Sequence, residues 1–232
     1  MSKLFERILG NYAVKRKAHA YLTKILPPIP TILIIIGTSM STSSSINVTS
    51  SIDASARMVW LDMELTGLDL EKDTIMEIAC VITEGNLSFV AQAPTFIIHQ
   101  PKEVLDQMGP WCQQQHAKTG LIDECLKSST TVQEADEQLY NFVKKYVPEG
   151  KGCVAGNSVY MDKWFVIKYL PKLNSHLHYR LIDVSTLKEL CRKWRTEDFK
   201  KIPEKAYTHR ALDDIMESID ELKHYKKILF DE

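Results

Sequence analysis

Short apolar runs dominate the chain just after residue 57. The first half of residues 58–68, the stretch Ile75–Thr83 and residues 95–99 are mostly apolar and are separated by loops with turn residues such as Gly67. Runs of this length are typical of strands, and short loops between them favour antiparallel pairing. The pattern therefore predicts a three-stranded antiparallel meander.

Further along the chain, apolar residues recur at intervals of three and four, which is the spacing of one helix face. The clearest example is residues 131–147, with Val132, Ala135, Leu139, Phe142, Val143 and Tyr146. The same reasoning predicts helices over residues 101–108, 162–170, 185–194 and 208–228, and strands over Cys153–Gly156 and residues 180–184. Strands followed by alternating helices and strands predict an α/β fold, a mixed central β-sheet flanked by α-helices.

Two polar segments lack such periodicity. Residues 111–121 are rich in Gln and predict a loop that carries Trp111 and His116. Residues 195–207 show little regular pattern.

Ser185 is the candidate N-cap of the helix predicted over residues 185–194, because its hydroxyl can accept a hydrogen bond from a first-turn N–H group.

The charge of the chain changes sign near residue 57. Residues 1–57 hold seven Lys and Arg against two acids, a net charge of +5, whereas residues 58–232 hold 22 basic and 28 acidic residues, a net charge of −6. The whole is 44% hydrophobic and 25% charged, which is ordinary for a globular protein. We therefore predict two parts, a disordered basic and Ser-rich extension over residues 1–57 and one globular domain over residues 58–232.

The extension has the composition of a mitochondrial transit peptide, since it is basic, rich in Ser and poor in acids. Its apolar run, residues 25–37, is too short for a membrane span and is interrupted by prolines, so no membrane partner is expected. A disordered tail without an address is the alternative. Met40 and Met58 could start shorter forms, which would stay in the cytoplasm or nucleus.

Five scattered cysteines, with no C-x-x-C pair, argue against a disulfide framework and against a zinc site. Each is expected to be a small apolar core residue in a reducing compartment. The cysteines therefore contribute no candidate chemistry.

Asp62 and Glu64 lie two apart on the first predicted strand, so their side chains point to the same face. Two neighbouring carboxylates repel each other, and burying them without partners costs several kcal/mol each. A hard divalent cation with oxygen ligands removes that penalty. The alternative is that both acids face solvent at the end of a strand.

Two later acids occur in similar contexts. Asp162 begins a predicted helix just after a strand, and Asp214 lies five residues after His209 in the last predicted helix. Taken alone, Asp162 could simply cap a helix, and Asp213 and Asp214 could form a solvated first turn. The joint occurrence of these acids favours a shared metal site.

The combined motifs resemble the DEDDh superfamily of 3′-to-5′ exonucleases and, within it, the oligoribonucleases. They are VWLDMELTGL at 59–68, AGNS at 155–158, YRLIDVSTLKEL at 179–190 and HRALDD at 209–214. The resemblance covers about residues 58–230 and implies an RNase H-like fold. It departs from the family around Asp162, which is preceded by Tyr160 and Met161 and followed by Lys163 and Trp164.

The resemblance implies roles for these residues. Asp62, Glu64, Asp162 and Asp214 would hold two Mg²⁺ or Mn²⁺ ions per active site, and His209 would act as general base toward the attacking water. Substrates would be very short oligoribonucleotides, from dinucleotides to roughly pentanucleotides, and long nucleic acid is not expected. The net charge of −6 over residues 58–232 agrees with that choice, since long nucleic acid needs an extended basic surface.

The same resemblance implies a substrate pocket completed by a homodimer. Its members would be Leu68 and Trp111 at the bases and His116, Ser158, Tyr179 and Arg180 around the 5′ phosphate, the last two from the other subunit. Two other hypotheses stay open at this point. One is a DEDDh exonuclease acting on longer RNA or single-stranded DNA, and the other is a catalytically silent nucleic-acid-binding or scaffold protein.

Overall fold

A computed structural model describes residues 53–202 and 209–230. Its strands are β1 (Met58–Leu65), β2 (Ile75–Thr83), β3 (Phe89–Gln92), β4 (Phe96–Ile97), β5 (Cys153–Gly156) and β6 (Leu181–Asp183). Its α-helices are α1 (Lys102–Leu105), α2 (Pro110–Lys118), α3 (Leu121–Lys127), α4 (Val132–Tyr146), α5 (Tyr160–Tyr169), α6 (Pro171–His176), α7 (Val184–Trp194), α8 (Thr196–Phe199) and α9 (Ala211–Leu229). No helix in this part of the chain is long and apolar enough to cross a membrane.

The strands form one mixed sheet in the order β3-β2-β1-β5-β6, with β4 pairing beside β3 on the outer side of β2. β1 is antiparallel to β2 and parallel to β5, which is in turn parallel to β6. The predicted mixed sheet flanked by helices is therefore confirmed.

The two faces of β1 pack into different cores because strand side chains alternate between faces. Val59, Leu61 and Met63 lie in a cluster with residues of α4, α5 and α6. Trp60, fully buried, lies in a second cluster with residues of α7 and α9. Asp62 and Glu64 follow Trp60 at steps of two, so they extend from the face that α9 covers.

The predicted third strand, residues 95–99, is shorter in the structure, where residues 96–97 pair with one end of β2. Residues 89–92, which were not predicted as a strand, pair with the other end of β2. Pro94 lies between them and has no N–H group for the ladder, which explains the interruption.

The loop predicted over residues 111–121 is wrong, because residues 110–118 form α2. The polar sequence of α2 gives no apolar period, whereas Pro110 at its first turn is the signal that sequence reasoning missed. The short helices α3, α6 and α8 were also not predicted, since each holds two turns or fewer.

Two helix starts differ from expectation. The N-cap of α7 is Asp183, whose Oδ1 accepts from the Ser185 N–H at 3.0 Å and the Ser185 hydroxyl at 2.6 Å, so Ser185 is not the cap. The last helix begins at Ala211 instead of residue 208, and His209 precedes it with a left-handed φ of 52°.

The N-terminal extension lies outside the described residues up to residue 52. The globular part begins slightly before the predicted boundary at residue 57, because Arg57 donates to both Glu84 carboxylate oxygens and to the Tyr146 carbonyl. All five cysteines are free, and Cys80, Cys125 and Cys191 are buried.

Candidate active site

The site forms where β1 leaves its pairing with β5. That pairing runs from Met58 to Trp60, and beyond it β1 is paired with β2 only. Asp62 and Glu64 are both partly buried on this free section. The open edge of β1 lets another element supply a third carboxylate.

That third carboxylate is Asp162, in the first turn of α5. Its carboxyl group accepts a hydrogen bond from the Met63 N–H on β1, between the two strand acids. Gly156 makes this approach feasible, because a Cβ there would lie 2.9 Å from the Leu61 carbonyl oxygen. The side chain of Asp162 is buried, so its position is fixed by packing.

His209 and Asp214 arrive from the opposite side, at the start of α9. Asp214 lies in the first helical turn, and its N–H donates to the Arg210 carbonyl at 3.1 Å. One ligand atom each of Glu64, His209 and Asp214 lies within 4.8 Å of the others. Asp213, one residue earlier, is exposed.

Burial and mutual repulsion dominate the electrostatics of this cluster of acids. The pKa of Glu64 is raised to about 8, by burial first and then by repulsion from Asp214 and Glu77, while Arg210 opposes the shift. Burial also raises the pKa of Asp162 to about 7. The pKa of Asp62 lies well above its usual range, because of burial first and then repulsion from Asp162, Asp214 and Glu64.

This donor set fits a divalent cation. All four acids offer oxygen, which Mg²⁺ and Mn²⁺ prefer, and burial and mutual repulsion hold the pKa values of Asp62 and Glu64 above their ordinary range. A bound cation would replace the protons that the raised pKa values imply, since ligands must be deprotonated. Sequence reasoning thus named a set of residues that the fold brings together.

Leu68 and Trp111, the apolar side chains expected at the bases, are both exposed. Trp111 is 63% exposed, and its ring meets the His209 ring edge-on at a centroid distance of 5.7 Å. Leu68 is 67% exposed. Core packing, the ordinary role of such residues, is therefore excluded for both.

The loop that carries Leu68 is held by Asp73, which sequence reasoning missed. Its carboxylate accepts from the Thr66 hydroxyl at 2.9 Å and the Asp69 N–H at 2.8 Å. A Cβ at Gly67 would lie 2.4 Å from this carboxylate, so only Gly fits. The loop thus presents Leu68 from a defined backbone.

Ser158 precedes α5 in a left-handed conformation, with φ of 56°. Its N–H donates to Asp183 Oδ1 at 2.9 Å, the oxygen that also caps α7. The exposed hydroxyl of Ser158 therefore lies between the starts of two helices. Asp183 therefore positions Ser158 in addition to capping α7. Nothing in the sequence indicates the contact with Ser158.

Tyr179 and Arg180 are exposed and contact their own neighbours. The Tyr179 ring stacks on His178 at 4.5 Å, and the Arg180 guanidinium lies 5.4 Å from the Tyr179 ring centroid. The Arg180 N–H donates to His178 Nδ1 at 3.0 Å. The Tyr179 ring thus contacts His178 and the Arg180 guanidinium contacts Tyr179, and no ion pair between Arg180 and Asp183 occurs among the described residues.

His116, which the resemblance placed around the 5′ phosphate, is buried. It is 1% exposed on α2, its Nε2 lies 2.9 Å from the Leu65 carbonyl oxygen, and its Nδ1 lies 3.8 Å from Glu64 Oε2. The reason is that residues 110–118 form a helix, which turns His116 inward behind β1. Its contact in the structure is with Glu64, not with the pocket surface.

Comparisons with known proteins agree with this site. The family model RNase_T, described as Exonuclease, matches residues 59–222. The mitochondrial oligoribonucleases of Homo sapiens and Bos taurus are each 51% identical to the chain over 174 residues, which cover 75% of this chain and 73% of theirs. The oligoribonuclease of Ralstonia nicotianae is 44% identical over 189 residues, covering 81% and 86%.

Solved structures agree on the fold. An Escherichia coli exonuclease I complex with single-stranded DNA, in its zinc-bound form, has a TM-score of 0.60 at 15% identity, and exonuclease I from Methylocaldum szegediense has 0.58 at 17%. Each likeness covers 75% of this chain, but the chain spans only 41% of those chains. The fold is thus RNase H-like. Because the exonuclease family model spans residues 59–222, where all four acids lie, and oligoribonucleases are 44–51% identical over 75% or more of the chain, the chain belongs to the exonuclease family and, within it, to the oligoribonucleases.

Proposed function

We propose that this protein is a metal-dependent 3′-to-5′ exoribonuclease that degrades very short oligoribonucleotides, from dinucleotides to roughly pentanucleotides, to nucleoside 5′-monophosphates. The observation that carries the proposal is the convergence of Glu64, His209 and Asp214 within 4.8 Å, beside Asp62 and Asp162. Membership of the oligoribonucleases supports the same substrate class.

Asp62, Glu64, Asp162 and Asp214 would hold two Mg²⁺ or Mn²⁺ ions. Such ions, when bound, neutralise the charge that develops on the attacking and leaving oxygens. The chain itself supplies the base: a ring nitrogen of His209 would accept the proton of the attacking water. Edge-on contact with Trp111 and the left-handed backbone at His209 orient the imidazole for that transfer.

The exposed residues around the cluster suit a base-tolerant pocket. Leu68 and Trp111 would contact the bases, since stacking on an aromatic ring accepts every base. Ser158, Tyr179 and Arg180 would surround the 5′ phosphate, where an Arg guanidinium can form two charge-assisted bonds. His116 would act on this pocket only through Glu64, its neighbour at 3.8 Å.

We also propose that two copies of the chain complete each other's sites, with Tyr179 and Arg180 reaching the neighbour's substrate. An exposed apolar stripe on α5 supports this assembly. Tyr160, Trp164 and Ile167 are 53%, 51% and 46% exposed at helical spacing, on the helix whose first turn carries Asp162. Trp164, the departure from the family pattern, is thereby given a role at a contact between copies.

The assembly is tested by mixing Arg180→Ala subunits with Asp62→Ala subunits. A shared site predicts that mixed dimers regain about one working site, because one site then combines intact acids with an intact Arg. A mixture as inactive on dinucleotides as the Asp62→Ala parent, or a monomer by light scattering, contradicts the shared site.

For location, we propose that residues 1–57 direct the long form to mitochondria. The relatives from Homo sapiens, Bos taurus and Mus musculus are named mitochondrial, and the basic, Ser-rich composition of residues 1–57 agrees with that address. A fluorescent fusion of residues 1–57 should accumulate in mitochondria. A diffuse cytosolic signal would remove the proposal.

The function is tested by the polarity and products of cleavage. RNA trinucleotides with a blocked 3′ end should resist the protein, and those with a blocked 5′ end should release nucleoside 5′-monophosphates when Mn²⁺ is present. A chelator should stop the reaction. Release from the 5′ end, or unchanged activity in the chelator, would contradict the proposal.

Single-stranded DNA is the second candidate substrate. The structural neighbours of the exonuclease I type include complexes with single-stranded DNA. Equal turnover of a DNA 20-mer and an RNA dinucleotide would favour this alternative.

A further inference from the structure

Arg210 separates the proposed base His209 from α9 and binds two acids on different elements. Its Nε donates to the Glu77 carboxylate oxygens on β2 at 3.0 and 3.2 Å. Its terminal nitrogens donate to the Glu124 carboxylate on α3 at 3.0 and 3.4 Å. The guanidinium therefore ties the start of α9 to two elements that are remote in sequence.

The main chain around Arg210 is fixed as well. Its carbonyl accepts from the Asp214 N–H at 3.1 Å, and the Ala211 N–H bonds to Glu77. On the other side, His209 has a φ of 52°, a conformation that a residue with a Cβ keeps only when its surroundings impose it. Both proposed active-site residues of this segment thus depend on where Arg210 is held.

Glu77 suits the role of an anchor. It is 1% exposed and lies directly opposite Glu64 in the β1–β2 ladder. A buried carboxylate must be paired, and Arg210 and the Ala211 N–H supply its partners. Glu124, on the outer side of the guanidinium, is partly exposed and can be altered with little effect on the core.

We propose that Arg210, held by Glu77 and Glu124, is the positioning residue that sets His209 and Asp214 against the acids of β1. It touches no reacting atom and acts through those two neighbours. The inference rests on the proposed function, because positioning matters for the reaction only if His209 is the base and Asp214 is a metal ligand.

The test must separate two roles of Arg210. Arg210 either positions His209 and Asp214 or only neutralises the charge of Glu77. Arg210→Gln alone leaves a buried carboxylate without its charged partner and could prevent folding. The double variant Glu77→Gln with Arg210→Gln removes both charges and leaves two amides that can bond each other. Arg57→Gln with Glu84→Gln is the matched control, since that pair forms a similar fork at the opposite end of β1 and β2.

Four quantities are measured for each variant: thermal stability, Mn²⁺ affinity, and both kcat and KM on an RNA dinucleotide. Positioning predicts that the Glu77/Arg210 double variant folds, loses about 10- to 100-fold in kcat with KM within about twofold, and binds Mn²⁺ more weakly. The Arg57/Glu84 control should lose stability only. Arg210→Lys, which keeps one charge but cannot reach both acids, should recover part of the lost kcat.

A Glu77/Arg210 double variant with wild-type kcat and Mn²⁺ affinity would overturn the inference, because Arg210 would then only neutralise Glu77. An increase in KM with unchanged kcat would overturn it too, since Arg210 would then bind substrate. If the wild type does not cleave short RNA, the proposed function fails. A Mn²⁺ affinity weaker in this double variant than in the control would still support positioning of Asp214.

Discussion

Glu64 and Glu77 lie directly opposite each other across β1 and β2, yet their carboxylates have different partners. Glu77 is bound by Arg210, whereas Glu64 faces Asp214, His209 and His116. Like charges in this position destabilise a sheet unless they are neutralised. Arg210 neutralises the charge of Glu77. Glu64 is therefore the carboxylate of this pair that is suited to bind a cation.

Adjacent acids at the start of α9 should differ sharply in importance. Asp214→Asn is expected to lower kcat on a dinucleotide by several orders of magnitude, because it removes a ligand from a shared metal site. Asp213→Asn is the matched control, since consecutive helical residues point about 100° apart and Asp213 is exposed. A large loss at Asp213 with none at Asp214 would show that the last motif is assigned to the wrong residue.

The metal-free protein should lose stability as the pH rises. The folded-state pKa of Glu64 is raised from 4.5 to about 8, and that of Asp162 from 3.8 to about 7. Across this window the folded state keeps protons that the unfolded state releases, so the free energy of unfolding falls with increasing pH. Added Mn²⁺ should reverse the loss at pH 8, because it binds the deprotonated folded form.

Thermal unfolding with a chelator at pH 5.5 and pH 8 measures this effect. Glu64→Gln serves as control and should show a smaller fall in Tm between the two values, since it lacks one of the shifted groups. A Tm that changes equally in the wild type and in Glu64→Gln would contradict the assignment of the shift to Glu64.

A methyl group at residue 67 should disturb the Leu68 loop. Gly67→Ala is expected to raise KM for a dinucleotide and to lower the free energy of unfolding by about 1–3 kcal/mol, because its Cβ would lie 2.4 Å from the Asp73 carboxylate. Gly109→Ala, at a position with no heavy atom within 4 Å of the added Cβ, is the control and should leave KM unchanged. Equal KM values for the two variants would show that the loop does not position substrate contacts.

Exposed apolar residues of the proposed pocket should affect substrate use, whereas an exposed apolar residue outside it should not. Leu68→Ala and Trp111→Ala are expected to weaken substrate use by about 1–3 kcal/mol for each lost base contact, without loss of stability. Phe89→Ala is the control, because Phe89 is 61% exposed on β3, outside the candidate site. The check is kcat/KM for a dinucleotide beside Tm, and a similar kcat/KM for all three variants would count against the pocket.

Much of this architecture could be predicted because its signals are local. The apolar run of Ile75–Thr83 and the spacing within residues 131–147 correspond to β2 and α4, and three of the four acids, Asp62, Glu64 and Asp214, occur in the motifs that carry the resemblance. The inward turn of His116 could not be predicted, since α2 has no apolar period and only Pro110 marks its start.

The supports of the site were also beyond sequence reasoning. Arg210 bonds to Glu77, 133 residues away, and such a pairing leaves no mark on the local pattern of either residue. Asp73 likewise looks like an ordinary loop acid until the close approach of Gly67 is known. Local patterns thus identify the acids of the site, whereas the groups that hold them appear only in the fold.

The length dependence of RNA cleavage tests the central claim most directly. A series of 5′-labelled RNAs from two to 24 nucleotides is digested with Mn²⁺, and kcat/KM is measured for each length. The proposed pocket predicts a maximum at the dinucleotide and a steep fall beyond roughly five nucleotides, because residues 58–232 carry a net charge of −6, which disfavours the many phosphate contacts that hold long RNA. A kcat/KM that is equal across the series, or that rises with length, would contradict the account.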